Sequence, residues 1–395
     1  MKNFSQHAAW TFVLSVLVVC TVLAGGYQIG EQGARAVGMG GAFVANASDP
    51  SAIYYNPAGL VGQTGINVLG GFDLIMPSTK FAATAPLPSS YSMSTNSQVF
   101  TPINVYGTYQ VDDDMVVGLG IFNPFGLGTD WPAPLSTNTS ISTFYFNPSI
   151  GYKINEDLSV GLGISFVYGS VSITAPGETF DATGSGFNIN IGAKYKVMPG
   201  LTVGLSYRIE TDVKLSGDLT MSTALGSKKG TGDVTVPMPG NLQIGAAYDV
   251  MPELTVEADL QYVQWGAFES LDLNYNLGSP IPAGTQAQPQ MWDDGITVRV
   301  GGEYKYSPEI TLRAGLIIDL TPQGISKTTP MLPDADRTDI SLGGSYKIDD
   351  NWHVDASYML VLFADKTVGS TNIYLTPGTY SSTAHVFSVN VGYAF

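Results

Sequence analysis

The sequence predicts an all-β fold, a 14-stranded antiparallel transmembrane β-barrel with an N-terminal hatch, or plug, inside its lumen. Three observations point there. First, of 395 residues 44% are hydrophobic and only 13% charged, with mean hydropathy +0.13, yet past the N-terminus no apolar run reaches the roughly 18 residues a spanning helix needs. Lipid admits only helices and closed barrels, because backbone polar groups must be satisfied internally. Second, a hairpin pattern recurs: a strand ending in Tyr, a tight polar turn, then alternating apolar residues. Examples are TYQVDDDMVVGLG from Thr108, GYKINEDLSVGLG from Gly151 and SYKIDDNWHVDAS from Ser345. Third, the strands separate into two faces by parity, as the pleat requires. From Phe187 the odd positions Phe187, Ile189, Ile191, Ala193 and Tyr195 are apolar, while Asn188, Asn190, Gly192, Lys194 and Lys196 face the other way.

The N-terminus reads as a targeting segment, residues 1–24. Lys2 is a short basic start, Ala8 to Leu23 form the apolar stretch, and Val22-Leu23-Ala24 is a small-residue cleavage site. The mature chain is expected to start at Gly25. Leu17-Val18-Val19-Cys20 resembles a lipobox, but Val19 is too bulky for the place before the cysteine. Cys20 is the single cysteine, so the mature chain is expected to have no thiol chemistry.

The barrel is expected over residues 64–395. Six hairpins carry tyrosines at Tyr109, Tyr152, Tyr195, Tyr248, Tyr304 and Tyr346, which read as an interfacial girdle. They supply twelve strands; one more precedes them, about Ile66 to Met76, and His385 to Phe395 closes the chain. The sum is fourteen, even, with both ends on the periplasmic side. The final aromatic, Phe395, resembles an assembly signal, so the barrel-assembly machinery is an expected partner. Extracellular loops rich in Pro, Gly, Ser and Thr are expected over Thr79–Ser97, Gly126–Ile141, Thr174–Thr183, Ser216–Gly232, Leu277–Gln290, Pro322–Ala335 and Asp365–Ser382.

Residues 25–63 do not read as strand. Glycine-rich and small, with Ala36, Val37, Met39, Ala42, Phe43 and Val44 suited to short helical turns, they are expected to fill the lumen. Eight strands are about the limit that side chains alone can fill.

Here a resemblance becomes specific. Gly33 to Ala42, with Gly38, Gly40 and Gly41, then Asp49-Pro50 and Asn56-Pro57-Ala58-Gly59-Leu60, resemble the hatch and NPA motif of the FadL family. These are outer-membrane transporters of long-chain fatty acids and other hydrophobic compounds, including OmpP-type and TodX-like members. Gly118 to Gly126, ending Asn123-Pro124-Phe125-Gly126, resembles that family's third strand, which is kinked away from its neighbour. Tyr207-Arg208 is a third match. The resemblance implies passive transport by ligand capture, hatch rearrangement and lateral release at Asn123–Gly126. Proline without an N–H in a strand independently predicts a broken ladder there.

Parity places Lys194, Lys196, Arg208, Glu210, Glu257, Asp259, Arg299, Glu303, Arg313, Asp319 and Asp355 in the lumen. Such charges ordinarily pair with one another and brace the hatch. Arg208 is the foremost candidate to bind a carboxylate head group, with Arg299 and Arg313 behind it. Phe43, Tyr54 and Tyr55 are expected to line a pocket for an apolar tail.

Three function classes compete. An enzyme is not expected: His353 and His385 lie far apart, and no nucleophile or metal motif occurs. No catalytic residue, metal or cofactor is assigned. A non-specific porin or structural surface protein is the alternative, though a plain porin has no need of a glycine-rich plug. A net charge of −16 argues against a nucleic-acid partner. The expectation is therefore a monomeric, multi-pass protein of the Gram-negative cell outer membrane. Its partners are a hydrophobic small molecule or fatty acid ligand, and outer-membrane lipid with lipopolysaccharide.

Overall fold

The computed structural model describes residues 25–370, 372 and 376–395. The targeting segment expected over residues 1–24, with Cys20, lies outside the described residues. Fourteen strands form one closed antiparallel barrel. They are β1 Ile66–Ala83, β2 Ile103–Gln110, β3 in two segments (Met115–Phe122 and Gly126–Trp131), β4 Thr137–Lys153, β5 Leu158–Ala175, β6 Glu178–Met198 and β7 in two segments (Leu201–Arg208 and Thr211–Thr223). Then come β8 in two segments (Gly226–Met238 and Asn241–Met251), β9 Leu254–Val263, β10 Gly295–Lys305, β11 Ile310–Asp319, β12 Arg337–Lys347, β13 Trp352–Phe363 and β14 Gly378–Ala394. Each strand pairs with the next, and β1 closes on β14 from Asn67↔Ala394 to Ala83↔Gly378. Closure removes every free edge but one, described below.

The girdle tyrosines are all exposed at the turn end, and apolar residues such as Ile191, Leu260, Leu316 and Leu342 cover the outer face. Three stretches read as loops are instead largely paired strand, Gly126–Ile141 among them, with a ladder from Gly126↔Ser142 to Trp131↔Thr137. The β5–β6 ladder runs to Ala175↔Glu178 and the β7–β8 ladder to Thr223↔Gly226. Beyond the membrane the outer face is wet, so apolar alternation stops there although the hydrogen bonding continues.

A second departure matters more. In β7 the even residues Gly204, Ser206 and Arg208 point inward, but past Ile209–Glu210 the odd residues Val213 and Leu215 do. In β8 the switch falls at Pro239–Gly240, from inward Val234, Val236 and Met238 to inward Asn241 and Gly245. An irregularity of this kind reverses every side chain beyond it. Glu210 is thereby exposed rather than lumenal, and Lys196 lies exposed at the rim.

Residues 25–63 fill the interior as two helical turns, α1 Ala34–Gly38 and α2 Ala52–Tyr55, then a 3-10 turn Pro57–Leu60. Asn56 caps that turn by accepting the Ala58 N–H at 3.1 Å, with Pro57 at the first position. Phe43 and Val44 are not helical. Their N–H groups donate to Asp259 Oδ2 at 2.8 and 3.1 Å, while those of Ala45 and Asn46 donate to Glu257 at 2.6 and 3.0 Å. Lumenal glycines let this backbone lie directly on the wall: a Cβ on Gly192 would sit 2.0 Å from Asn56 Oδ1, and one on Gly301 2.2 Å from Met39 O.

Candidate functional site: a broken wall strand beside a lumenal aromatic chamber

The break falls where proline predicts it. The β2–β3 ladder ends at Asn104↔Phe122. On the other side β3 leaves β4 at Phe122↔Tyr145 and rejoins it at Gly126↔Ser142, so residues 123–125 bulge over residues 143–144. Pro124 has no N–H to give. Asn123 substitutes its side-chain amide for the lost backbone bonds: Oδ1 accepts the Ile103 N–H at 2.9 Å, and Nδ2 donates to Thr143 O at 2.5 Å. Toward the outside the wall joins again where Asn96 N donates to Asp130 O at 2.8 Å. Between these two ties, among the described residues, no backbone hydrogen bond links residues 97–102 to residues 124–129. Leu127, on this free edge, has φ +127, a strained value for a non-glycine residue.

The chain's own N-terminal segment covers that edge from inside. Ile29 N donates to Pro124 O at 2.8 Å, Gly126 N to Tyr27 O at 3.0 Å, and Gln32 Nε2 to Asn123 O at 2.8 Å. Phe125 thus faces Gln28 as an isolated antiparallel bridge.

Above and beside this seal lies an aromatic chamber, filled by its own packed side chains. The Tyr27 ring is 4.7 Å from Trp265, 5.6 Å from Phe268 and 5.9 Å from Phe125. Deeper, Phe122 packs on Tyr54 at 5.3 Å and Tyr145 at 5.9 Å, and Tyr55 meets Phe43 at 5.4 Å. The upper wall of the chamber is aliphatic, from Val213, Leu215, Val234 and Val236, the residues that the parity switch turned inward.

Arg208 is buried in this chamber without a carboxylate. Nη1 donates to Asn188 Oδ1 at 3.0 Å and Nη2 to Tyr54 O at 3.4 Å, and Cζ lies 5.6–5.7 Å from the rings of Tyr54, Phe122 and Tyr145. Among the described residues no ion pair joins it. The buried Tyr145 hydroxyl also lacks a partner among the described residues.

The other two arginines are differently employed. Arg299 donates to Gln261 Oε1 and to Gly40 O at 3.2 Å, holding the interior segment. Arg313 ion-pairs with Glu303 at 2.6 Å and Asp355 at 3.3 Å, and Glu303 also binds Arg35 at 2.9 Å. This network is a brace. Gly38 and Gly40 pack on Gly343 and Gly315, Gly41 on Arg299, and Asn56-Pro57-Ala58 on the β5–β6 wall. The structure therefore gathers Arg208, Tyr54, Tyr55, Phe43 and Phe125 around one chamber, and spends Arg299 and Arg313 elsewhere. Sequence reasoning missed Tyr27, Trp265, Phe268, Trp292 and Tyr145. Trp265, Phe268 and Trp292 lie in irregular chain, where parity assigns no face; Tyr27 was read only as part of a glycine-rich segment.

A plugged, closed barrel with a lipid-facing band defines an outer-membrane protein. The chain belongs to the outer membrane protein transport protein family (OMPP1/FadL/TodX), whose model matches residues 15–395. A putative outer membrane protein of Neisseria meningitidis, NMB0088, is 32% identical over 124 residues, 30% of this chain and 26% of that protein. The long-chain fatty acid transport protein of Escherichia coli O6:H1 is 25% identical over 211 residues, 48% of this chain and 46% of that protein. The chain thus spans less than half the length of these curated relatives. The crystal structure of a Pseudomonas aeruginosa FadL homologue superposes with TM-score 0.82 at 18% identity, covering 94% of this chain and all of that one, and shows the shared fold.

Proposed function

We propose that the protein passively carries hydrophobic compounds, fatty acids among them, across the outer membrane and releases them sideways through the wall at Asn123–Gly126. One observation carries the reading: the free edge of β3 is paired to Tyr27–Ile29 of the interior segment rather than to its neighbour in the wall. A ligand in the aromatic chamber competes with Tyr27 for Trp265, Phe268 and Phe125. Displacing Tyr27 withdraws the strand-like pairing that seals the gap. Rearrangement is confined to residues 25–32, since residues 38–60 are fastened to the wall by the lumenal glycines, Asp259, Glu257 and the Arg35–Glu303–Arg313 brace. An unpaired Arg208 favours a ligand with an anionic end, a fatty acid before a neutral hydrocarbon, in keeping with the Escherichia coli relative. With no energy-coupling motif in the sequence, net flux follows the ligand's gradient.

Replacing Asn123 and Pro124 together by valine tests the route. Two β-formers with backbone donors should restore the ladder and stop uptake of a fluorescent fatty acid, while the barrel still folds and keeps its heat-modifiable migration on gels. Uptake at the original rate in a folded variant rejects lateral release.

A further inference from the structure

Beyond the apolar belt, β8 acquires a second neighbour. Its residues Thr231–Asp233 pair with Asn274–Asn276, and that short strand folds back on Gly284–Gln286, all within the connection between β9 and β10. The result is a three-stranded shelf that continues the wall on the extracellular side. Register sorts its side chains onto two faces. Gly232, Tyr275 and Gly284 are level with one another on the face turned to the lumen, where Phe180 and Leu273 crowd the Gly232 Cα. The face turned away from the barrel carries Asp233, Asn274 and Thr285 in one row, and Thr231 beside Asn276 in the next. All five are exposed.

These residues bound a shallow groove of about 410 Å³, within the size range of small-ligand sites. Its polar groups are already set in line. Thr285 Oγ1 donates to Asn274 Oδ1 at 2.7 Å, and Asn274 Nδ2 donates to Asp233 Oδ2 at 3.0 Å. Asn276 Oδ1 accepts the Gly278 N–H at 3.1 Å, which leaves its NH2 group as a donor. Among the described residues that NH2 group, the Thr231 hydroxyl and Asp233 Oδ1 make no hydrogen bond. A donor, a hydroxyl and an acceptor side by side match a ligand whose neighbouring groups both give and accept, which is the chemistry of a vicinal diol. A phosphate is disfavoured: no base lines the groove, and Asp218 of β7 lies across from Thr231, close to Asp233.

Height selects the source. Asp233 stands about 30 Å further along β8 than the outward Leu242, at roughly 3.3 Å per residue. That is above the hydrocarbon and among the sugars of the outer leaflet. We propose that the shelf binds a neutral saccharide of the lipopolysaccharide around the barrel, with Asp233 and Asn276 holding hydroxyls of one ring and Thr231 and Thr285 flanking it. The contact anchors the tall part of the wall, β7 and β8, in the sugar layer.

The test uses the folded protein in a detergent without a sugar head group, with EDTA present. The probe is the core oligosaccharide of the producing strain's lipopolysaccharide, freed of lipid and phosphate, and a panel of foreign glycans is titrated alongside. Saturation-transfer NMR should show saturable binding of the core, millimolar or tighter. Asp233→Ala combined with Asn276→Ala should weaken it at least about tenfold, through the loss of two hydrogen-bonding groups. Thr338→Ala, outward on β12, should leave it unchanged. Should the double variant fail to fold, Asn276→Leu alone serves, since it removes the donor and fills the row, with the same loss expected. No saturable binding of the core, equal affinity in the folded variant, an equal loss in Thr338→Ala, or binding of foreign glycans alone overturns the proposal. Uptake does not enter this test, so its outcome is independent of the lateral route.

Discussion

Arg208→Met separates a binding arginine from a bracing one. Taking an ion out of water costs several kcal/mol, even after relaxation. Against that, Arg208 has one good hydrogen bond to Asn188, one long one to Tyr54 and three ring faces at 5.6–5.7 Å. These contribute about 1.5–3 kcal/mol per charged hydrogen bond and about 0.5–2 kcal/mol per ring. The two sides nearly cancel, so Arg208→Met should alter stability by less than about 2 kcal/mol in either direction. Arg313→Met makes the contrast. It takes the arginine from the buried Asp355, which keeps only Ser345 and His353, and leaves Glu303 with Arg35 alone, which should cost about 3–5 kcal/mol. Ligand binding should invert the order. Removing one partner of a buried charge pair costs about 2–5 kcal/mol, so a fatty acid should bind Arg208→Met at least about 30-fold more weakly, since 1.4 kcal/mol is tenfold. A hydrocarbon of equal length should change by less than about threefold. Urea unfolding in detergent reads the first quantity and quenching of chamber tryptophans reads the second. If Arg208→Met unfolds as easily as Arg313→Met, or if acid and hydrocarbon lose affinity equally, Arg208 is another brace and the anion-site reasoning is wrong.

Three further outcomes follow from the same geometry. Tyr27→Ala empties a ring that touches Trp265, Phe268 and Phe125; at about 3–5 kcal/mol for a buried aromatic truncation, residues 25–32 should leave their seat, and limited proteolysis should cut there first. Asp259→Asn combined with Glu257→Gln removes the charge from four amide contacts; hydrogen exchange of residues 43–46 should rise at least about tenfold, because bonds to charged acceptors are worth about 1.5–3 kcal/mol each. Unchanged exchange means that packing alone holds the segment. Gly192→Val places a branched side chain where Asn56 Oδ1 sits; it should destabilise the barrel by about 1–3 kcal/mol, while Gly107→Val, in open space, should not.

Periodicity made the wall readable, and it failed where the wall stops being regular. Strand count, girdle tyrosines and closing strand follow from a two-residue pleat against lipid, which constrains every outward position. Lys194, Glu257, Asp259, Glu303 and Asp355 were placed inside by the same rule. Glu210 was not, because the irregularity at Ile209–Glu210 turns the strand over, and only Pro239-Gly240 on the partner strand hints at it. Nor does parity tell a paired arginine from an unpaired one: Arg208, Arg299 and Arg313 are alike in sequence and differ in their neighbours, which are Asn188 and ring faces for the first, Gln261 and Gly40 for the second, and the acids Glu303 and Asp355 for the third. Asn123-Pro124 was readable because proline's missing donor is a local fact. That Tyr27–Ile29 fills the broken edge is a contact across nearly a hundred residues, and no local pattern carries it.

The two irregularities acquire a common purpose when set side by side. A polar lumen suits a water-filled pore, and an apolar one suits a ligand that avoids water. Below Arg208 the inward faces are Ser, Asn, Gly and charge, bound to the interior segment; above it the turned-over strands β7 and β8 present Val213, Leu215, Val234 and Val236. The apolar chamber therefore ends at Arg208, with polar wall beneath it and the braced segment as its floor. For an apolar tail, going further down means exchanging that lining for polar surface, at about 25 cal/mol per Å² of apolar area exposed. The bulge at Asn123–Phe125 opens at the same level, where Phe125 packs on Tyr27 and Tyr145. On the proposed route a tail lodged beside Phe125 would meet polar wall below and hydrocarbon sideways, so the direction of release would follow from where the lining changes. Moving the boundary should move the ligand: with Ser149 and Ser165 both replaced by alanine, a fatty acid should settle deeper and quench against Tyr152-side probes, and lateral uptake should fall. Unaltered depth and rate would mean that the floor alone, not the change of lining, turns the ligand toward the wall.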